Sequence, residues 1–296
     1  MAVTIMKSEV AMPPSLFAPE LACEQLFPGD EGEVLEFLAK RAIHTVYMAT
    51  LIRDNGLVSP NNRGAFYGCR DAANNLLGVA LIGHATIVEA RTDTAVAAFA
   101  QLAANSRHPG LIRGERKTVD QFWEHFVATG QTSRLVCREL LFEKKDVTPL
   151  SEHLARLRPA TLDDLEYVLT VNAMLAFEEG GINPLERDPE GFRARALRRV
   201  RQGRVWLGVK DDTPIFKADI VGDTPEAIYL EGIHVAPEER LKGHGKRCLA
   251  HLSSTLLRRT KTICLTVNQR KADTVKFYVK AGFDFHSEYQ TIYLGQ

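Results

Sequence analysis

Nine residues in the second half of the chain combine glycines with charged side chains, as an anion-binding turn would. Residues 239–247 read ERLKGHGKR and contain five Arg, Lys or Glu charges, one His and two glycines. A strand-like run precedes them, and a run with Cys248, Leu249 and Leu252 on one helical face follows. Glycine lets a backbone approach a ligand closely, and the first turn of a helix offers unpaired N–H groups and a partial positive charge. The nine residues alone leave open a phosphate-binding turn and an ordinary surface connection.

Two other phosphate motifs do not match this turn. A P-loop requires G-x-x-x-x-G-K-[ST], which the sequence lacks. Gly243-His244-Gly245 matches the start of a dinucleotide fingerprint, but Cys248 occupies the place of the third glycine. The interpretation therefore depends on the sequence around the turn.

The surrounding sequence resembles the two signatures of the GNAT N-acetyltransferase superfamily. Residues 235–252, VAPEERLKGHGKRCLAHL, resemble its acyl-CoA-binding signature, V-x-P-x-x-R-x-x-G-x-G followed by a helix. Residues 265–285, LTVNQRKADTVKFYVKAGFDF, resemble its second signature, with Tyr278 and then Gly282-Phe283. The resemblance covers roughly residues 155–296. It implies an α/β (α+β) fold with a mixed, mostly antiparallel sheet whose strands splay apart around coenzyme A.

The resemblance also implies how acetyl-CoA, the co-substrate, is held. Backbone amides of the turn would hold its pyrophosphate, and the preceding strand would pair with its pantetheine arm as a further strand does. By position, the strand residues are Ile233, His234 and Val235, and the turn residues are Arg240, Leu241, Lys242, Gly243, His244 and Gly245, followed by Lys246. The second signature often carries Asn seven residues before its Tyr. That place is Lys271 here, and Asn268, three residues earlier, is the predicted pantetheine contact. No metal is expected.

Acetyl transfer from a thioester requires an unprotonated amine and a proton for the departing thiolate. Tyr278 is the predicted general acid, because the family's general acid occupies that place; a tyrosine that only packs on the sheet is the alternative. Glu231, on the strand before the turn, is the predicted general base. His234 on the opposite face of that strand, or a chain of water molecules, could take the proton instead.

The acceptor determinants of such proteins lie between the first two helices of the domain. That segment is FEEGGINPLERD here, and its Glu178 and Glu179 are the predicted substrate-binding residues. An acidic loop suits a cationic amine, and it equally suits a solvated helix end. Lys217, inside the apolar strand PIFKADI, either faces the cleft or extends from a strand edge toward water. The Arg-rich run GFRARALRRVRQGR has charges on several faces, which is typical of a solvated helix.

Hydrophobic periodicity predicts the elements that position these residues. Helices are expected over residues 30–39, 94–104, 119–128, 189–202, 245–258 and 273–281, and strands over 65–69, 76–82, 134–142, 205–209, 215–220, 227–234, 262–267 and 286–293. Residues 157–181, LRPATLDDLEYVLTVNAMLAFEEGG, are expected to open as a strand, turn at Pro159 and enter a helix. Thr161 is the predicted N-cap of its helix, with Asp163 and Asp164 in the first turn.

The elements fall into two halves of similar order. Residues 1–22 are expected to be a flexible lead-in, because prolines interrupt any periodicity, and residues 144–153 a linker. Residues 23–145 are predicted to form a degenerate GNAT-like domain, similar to the first half of tandem-GNAT bacterial proteins, and residues 154–296 the catalytic domain. The place for a pyrophosphate turn in the first half, residues 83–96, contains no R-x-x-G-x-G. We therefore expect this half to wall off the substrate site or to mediate assembly.

Composition limits the partners. The 296 residues contain 37 Lys and Arg against 37 Asp and Glu, and this formal net charge of +0 argues against nucleic acid as the main partner. No apolar run reaches the roughly 18–20 residues of a membrane span. Five cysteines without paired spacing favour a reducing cytoplasm over a disulfide framework, with Cys248 and Cys264 in the core.

The predicted activity is acetyl transfer to a small-molecule or peptide amine, directly, in a ternary complex. The chain would act as a monomer or homodimer. A regulatory module that senses acyl-CoA without turnover is the alternative from another class, and an acyltransferase for a longer acyl group is a third possibility.

Overall fold

The computed structural model describes residues 21–106, 110–147 and 155–295, and one succession of elements occurs twice in them. The first half contains β1 (Ala22–Gln25), α1 (Glu31–Ala39), α2 (Ala42–Asn55), β2 (Gly64–Arg70), β3 (Leu76–Gly83), β4 (Ala85–Ala90), α3 (Asp93–Ala104), β5 (Leu111–Glu115), α4 (Arg116–Val127) and β6 (Ser133–Lys144). The second half contains β7 (Arg156–Pro159), α5 (Leu165–Gly180), α6 (Pro184–Arg187), α7 (Pro189–Arg201), β8 (Val205–Lys210), β9 (Thr213–Asp223), β10 (Ile228–Val235), α8 (His244–Leu256), β11 (Ile263–Asn268), α9 (Ala272–Lys280) and β12 (Asp284–Leu294). The predicted lead-in lies outside these residues, apart from its last two positions.

All the strands of the described residues belong to one open sheet. Its order is β1-β2-β3-β4-β5-β12-β6-β11-β10-β9-β8-β7. Strands β1 to β6 of the first half correspond to β7 to β12 of the second half, and corresponding strands lie at the same distance from opposite edges of the sheet. Most neighbours are antiparallel, and β4–β5 and β10–β11 are parallel. The predicted mixed, mostly antiparallel sheet flanked by helices is confirmed, but the two halves share it instead of forming a sheet each.

The halves exchange their last strands at the centre of this sheet. Strand β6 pairs with β11 and β12, whereas β12 lies between β5 and β6. Each half is therefore completed by the final strand of the other half. The predicted linker begins too early, because Lys144 pairs with Ile263 and its Nζ donates to the backbone oxygens of Ala281 and Gly282. Residues 148–154 of that linker lie outside the described part.

The parallel pair β10–β11 separates after three residues. Ile228 to Leu230 pair with Ile263 to Leu265, and beyond them the two strands diverge. Strand β10 has a bulge between Glu231 and His234, where Gly232 has φ +59°. The expected splay is therefore present, and it leaves the β11-facing edge of β10 beyond Leu230 without a neighbouring strand.

Helix α2 belongs to the first half but packs on the sheet of the second half as well. Its Val46 joins a buried cluster with Ala227 and Tyr229, and its Thr50 Oγ1 accepts from the Asp223 N–H at 2.6 Å. The opposite side of α2, including Met48 and Ile52, lies in the core of the first half. A helix that is buried on both sides has no single apolar stripe, so periodicity does not predict it.

Helix α5 begins where the sequence predicts. Thr161 and Asp164 form a capping box around the short 3-10 turn Leu162–Asp164 that leads into the helix. The Asp164 carboxylate accepts from the Thr161 N–H at 2.7 Å and pairs with Arg158 at 2.7 Å.

The cysteines differ in part from the expectation. Cys248 and Cys264 are buried in the core, as predicted. Cys23 and Cys69, directly opposed on β1 and β2, form a disulfide, so the expectation that no cysteines pair is wrong for these two. Sequence spacing did not reveal the pair, because antiparallel register brings together residues that are 46 positions apart. No helix of the described residues is long and apolar enough to cross a membrane.

Candidate functional site

The predicted phosphate turn lies between β10 and α8. A short 3-10 turn, Pro237–Glu239, follows the strand, and Gly243 with φ +80° is the N-cap of α8. No side chain caps this helix, and the Arg247 N–H bonds the Gly243 oxygen at 3.2 Å. The N–H groups of the three residues before Arg247 have no helical partner. They point out of the helix, as anion binding requires.

Side chains around the turn brace its shape. His244 is 5% exposed, and its ring lies between Glu239 at 3.2 Å and Arg247 at 3.3 Å. Arg240 Nε donates to the Val235 oxygen at 3.1 Å, which ties the turn to the end of β10. Lys242 pairs with Glu239 at 3.3 Å. The His244 side chain thus supports the turn, and a contact from His244 to a phosphate would have to come from its backbone.

Gly245 allows α8 to lie close to β10. A Cβ at this position would lie 2.6 Å from Cγ2 of Val235 and 3.5 Å from Phe277. A contact of 2.6 Å cannot exist without a shift of the helix, the strand or the Val235 side chain. The second glycine of the motif is therefore required by packing at the foot of the turn.

A cavity of about 1120 Å³ fills the space between the diverging strands. Most predicted site residues line it, namely Glu178, Glu179, Glu231, Ile233, His234, Val235, Arg240, Leu241, Gly243, Gly245, Lys246, Asn268 and Tyr278. Lys217, Lys242 and His244 are not among the lining residues. The structure thus brings together residues from α5, β10, the turn, β11 and α9, in one cleft.

Tyr278 lies in the cleft wall on α9. It is 6% exposed and contacts the rings of Phe277 and Phe283, with centroids at 5.4 and 6.0 Å. Burial raises the pKa of its phenol, and the nearby Glu179 carboxylate raises it further. Tyr278 is thus protonated at neutral pH, which is the state that a general acid needs.

Sequence reasoning missed Arg113, which enters this cleft from β5 of the first half. It donates to Glu231 at 2.6 Å, to Thr266 at 2.6 Å and to the Tyr229 hydroxyl at 2.5 Å. Glu139 on β6 lies 3.5 Å from the same guanidinium. No local signal marks this arginine, because its partner Glu231 is 118 positions away in the sequence.

Glu231 lies on the cleft wall with a side chain that is 38% exposed. Burial raises the pKa of its carboxyl, but the Arg113 charge and the hydrogen bond from Tyr229 lower that pKa by more, so that it falls below its usual range. A carboxylate held in its ionised form by such partners is a weak base. The predicted role of Glu231 as general base stays a prediction.

Lys217 is fully buried. Its Nζ lies 2.7 Å from the Asp219 carboxylate and donates to the Gly232 oxygen at 3.2 Å. The second contact stabilises the bulge of β10. Asp219 also accepts from Arg199 at 3.0 Å and from Asn172 at 3.2 Å. The alternative of a side chain that extends into water is wrong, because β9 lies inside the sheet between β8 and β10. A direct contact to the acceptor stays a prediction.

Three arginines of the predicted solvated helix, α7, are in ion pairs. Arg193 pairs with Glu166, Arg195 with Asp188 and Arg199 with Asp219. The guanidinium of Arg199 lines the cleft and belongs to the buried network around Lys217.

The equivalent gap of the first half is closed. Strands β4 and β5 also separate, after Thr86 and Ile112, but Arg41 bridges them by pairing with Glu89 at 3.2 Å and with Glu115 at 2.5 Å. Thr92 caps α3 with its side chain, and Asp93 adds negative charge in the first turn. An anion would meet a first turn that is already capped by a side chain, and an unfavourable charge.

Comparisons with known proteins agree with this geometry. Residues 175–283 match the model of the acetyltransferase (GNAT) family. A search of curated proteins gives no match. A tandem GNAT protein from the clavulanic acid biosynthesis pathway superposes with a TM-score of 0.57, 14% identity and coverage of 94% of this chain and 99% of that one.

Two further solved structures are similar over most of their length. For a GNAT-family acetyltransferase from Colwellia psychrerythraea the TM-score is 0.53, with 11% identity and coverage of 93% and 100%. For a Drosophila protein the TM-score is 0.66, with 12% identity and coverage of 92% of this chain and 98% of that one. At such identities the likeness concerns the fold. Residues 175–283 thus match the acetyltransferase (GNAT) family, and the described residues have a fold like that of the tandem GNAT protein.

Proposed function

We propose that this chain transfers the acetyl group of acetyl-CoA to a primary amine. The observation that carries the proposal is the uncapped first turn of α8, which opens onto the cleft that contains Tyr278. An anion-binding turn could hold the pyrophosphate of acetyl-CoA, and an acid in the cleft wall could supply the proton of the departing thiolate. The first half lacks such a turn.

The co-substrate would lie along the splay. Its pyrophosphate would accept from the N–H groups of His244, Gly245 and Lys246, with the Lys246 ammonium nearby. Its pantetheine amides would pair with the free edge of β10 at residues 233–235, since no strand occupies that edge. Asn268 lines the same space, although its Oδ1 already accepts from the Arg270 N–H at 2.9 Å. Its amide nitrogen is the group that could reach the pantetheine.

The reaction would be a direct transfer. The neutral amine attacks the thioester carbonyl carbon, and a C–N bond forms while the carbonyl electrons move to oxygen. When that intermediate collapses, the C–S bond breaks and Tyr278 donates its proton to the thiolate. The tyrosinate then takes the remaining surplus proton of the acceptor nitrogen, which leaves an amide and free CoA thiol. This order returns Tyr278 to its starting state.

The surroundings of the cysteines support direct transfer. Cys137 lines the cleft, but burial raises the pKa of its thiol, and this disfavours the thiolate that an acyl-enzyme would need. Cys248 and Cys264 are buried in the core.

The acceptor end of the cleft suits a cationic amine. The carboxylates of Glu178, Glu179 and Glu231 line it, and Arg113 is occupied by Glu231 and Glu139. A second positive group on the acceptor would find a partner there. Monomeric or homodimeric state and a cytoplasmic location stay predictions.

Release of free thiol from acetyl-CoA tests the proposal. Diamines, amino sugars, amino acids and short peptides are incubated separately with the protein, and at least one class is expected to release thiol in equal amount to N-acetylated product. If no amine is turned over while CoA still raises the melting temperature, the chain is a sensor of acyl-CoA and the proposal is wrong.

A further inference from the structure

The cleft is lined by seven carboxylates, which are Glu139, Glu178, Glu179, Asp219, Glu231, Glu239 and Asp273. Six of these seven have an ion-pair or hydrogen-bond partner. Any group that takes a proton from a bound amine must have a free lone pair directed at the cleft. The partners of these carboxylates therefore decide which of them can act as a base.

Three of the seven are fixed by short hydrogen bonds. Glu231 accepts from Arg113 at 2.6 Å and from Tyr229 at 2.8 Å. Glu139 accepts from Thr291 at 2.6 Å and from Thr266 at 3.3 Å. Asp219 is held by Lys217 and two further donors.

Three others face cations at the rim. Glu239 lies within 3.3 Å of Lys242 and 3.2 Å of His244. Glu178 lies 3.7 Å from Lys271, and Asp273 lies 3.8 Å from Lys276. Proton uptake by any of these six carboxylates would neutralise a charge that interacts with a neighbouring donor or cation.

Glu179 differs from all of them. Within the described residues, its carboxylate has no ion pair and no hydrogen-bond donor. It lies in the last turn of α5, one residue before Gly180, which packs against the ring of Tyr293 in the cleft wall. Its side chain is also exposed, so a proton that it takes up can pass to solvent.

We infer that Glu179, and not Glu231, accepts the proton of the acceptor ammonium. The inference deepens the proposed function and rests on it. The ammonium nitrogen gives one proton to the Glu179 carboxylate and keeps the electron pair that then attacks the thioester carbonyl. Glu179 releases the proton to water after the acetylated product leaves, so the residue returns to its ionised form.

The surroundings of Glu179 favour this role. The protein atoms around this exposed carboxyl weaken its hydration and raise the pKa of Glu179 to about 7, and the Glu231 charge adds to the rise. A base with a pKa near the working pH is the most effective one. The charged and titratable groups that face it are Glu178 on its own helix, Arg113 on β5, Cys137 and Glu139 on β6, Glu231 on β10, Lys271 before α9, Tyr278 on α9 and Tyr293 on β12.

The pH dependence of kcat/KM tests the inference, with the best amine of the panel as acceptor. For the wild type, kcat/KM should rise with pH and reach a plateau that begins near pH 7. Glu179→Gln should be roughly 10²- to 10⁴-fold slower at pH 7 and should keep rising above it, because only amine that is already neutral in solution can react. Glu179→Asp should keep the plateau at a lower rate. Glu231→Gln should keep the plateau, whatever its rate.

Two controls separate this role from a structural one. Glu190→Gln, on the exposed surface of α7, should leave rate and pH profile unchanged. The Glu179 variants and Glu190→Gln should keep the melting temperature and its rise with CoA. Loss of the plateau in Glu231→Gln, or its survival in Glu179→Gln, would overturn the inference.

A second readout needs no acceptor. In protein labelled with [5-¹³C]glutamate, one carboxyl resonance should titrate near pH 7 and disappear in Glu179→Gln. If that resonance titrates near the ordinary value of about 4.3, the inference fails even when amines are acetylated. If the resonance titrates near 7 and no amine is acetylated, the failure belongs to the proposed function.

Discussion

At the point where β10 and β11 separate, the guanidinium of Arg113 joins both halves of the chain. It holds Glu231 in its ionised form and fills the base of the cleft with hydrogen bonds to Tyr229 and Thr266. The first half thus contributes Arg113, Cys137 and Glu139 to the lining of the cleft, although its own gap is closed. The expectation that this half walls the substrate site is consistent with this arrangement.

Tyr278→Phe removes the proposed acid with little change in volume. We expect kcat to fall roughly tenfold or more, because the thiolate must then take its proton from water, while the affinity for CoA is kept. Steady-state kinetics and CoA-induced stabilisation check this outcome. Tyr67→Phe, on β2 in the first half, is the matched control and should retain full turnover. A Tyr278→Phe protein with unchanged kcat and pH profile would show that Tyr278 only packs on the sheet.

At the scale of elements, the junction of β10 and α8 depends on the close approach of a helix and a strand. Gly245→Ala would bring a methyl group to 2.6 Å from Val235 and so displace the first turn of α8. CoA affinity should fall about tenfold, or ~1.4 kcal/mol, measured by calorimetry. Gly32→Ala in α1 has nothing within 4 Å of the new carbon and should leave CoA affinity unchanged. Equal affinities in both variants would contradict the close approach.

The start of α5 gives a pH-dependent stability. The side chain of Arg158, hydrogen-bonded to Asp164, lowers the pKa of that carboxyl to about 2 despite its burial. A lowered pKa contributes stability above the ordinary value of about 4, and this contribution is lost as the pH falls toward 2.

Asp164→Asn should therefore reduce the unfolding free energy by about 2 kcal/mol at pH 7, at about 1.4 kcal/mol for each unit of the shift. The difference in unfolding free energy between Asp164→Asn and the wild type should be smaller at pH 3. Urea titrations at both pH values measure this difference. Asp163→Asn, one residue earlier and exposed, should change little. A difference that stays constant between pH 7 and 3 would mean that charge has no part in this cap.

At the scale of the whole molecule, the sequence predicts what is local. The periodicity of α8, α9 and the strands around them appears in the sequence, because each is buried on one side or alternates between faces. Helix α2 shows no such periodicity in the sequence, because it is buried against both halves. The pairing of β6 with β11, the disulfide and the contact from Arg113 to Glu231 depend on register between distant segments, which no local pattern encodes. The turn and Tyr278 were predicted from motifs, whereas the Arg113 guanidinium, which holds Glu231 in its ionised form, comes from the other half and is marked by no local pattern.

The shared sheet predicts that neither half folds alone. Residues 1–147 would lack β12 between β5 and β6, and residues 155–296 would lack β6 between β11 and β12. Expressed separately, the two pieces should show no cooperative unfolding, and they should recover it when refolded together. Thermal unfolding followed by circular dichroism measures both states. A cooperative transition in residues 1–147 alone would contradict the exchange.

The position of β12 also has a consequence for synthesis on the ribosome. The first half is complete only after β12 has been translated, at residues 284–294, long after β6 at residues 133–144. At typical rates of elongation, it remains incomplete for on the order of ten seconds after its own last strand has been made. A premature stop codon shortly before residue 284 would therefore leave the first half without one of its strands.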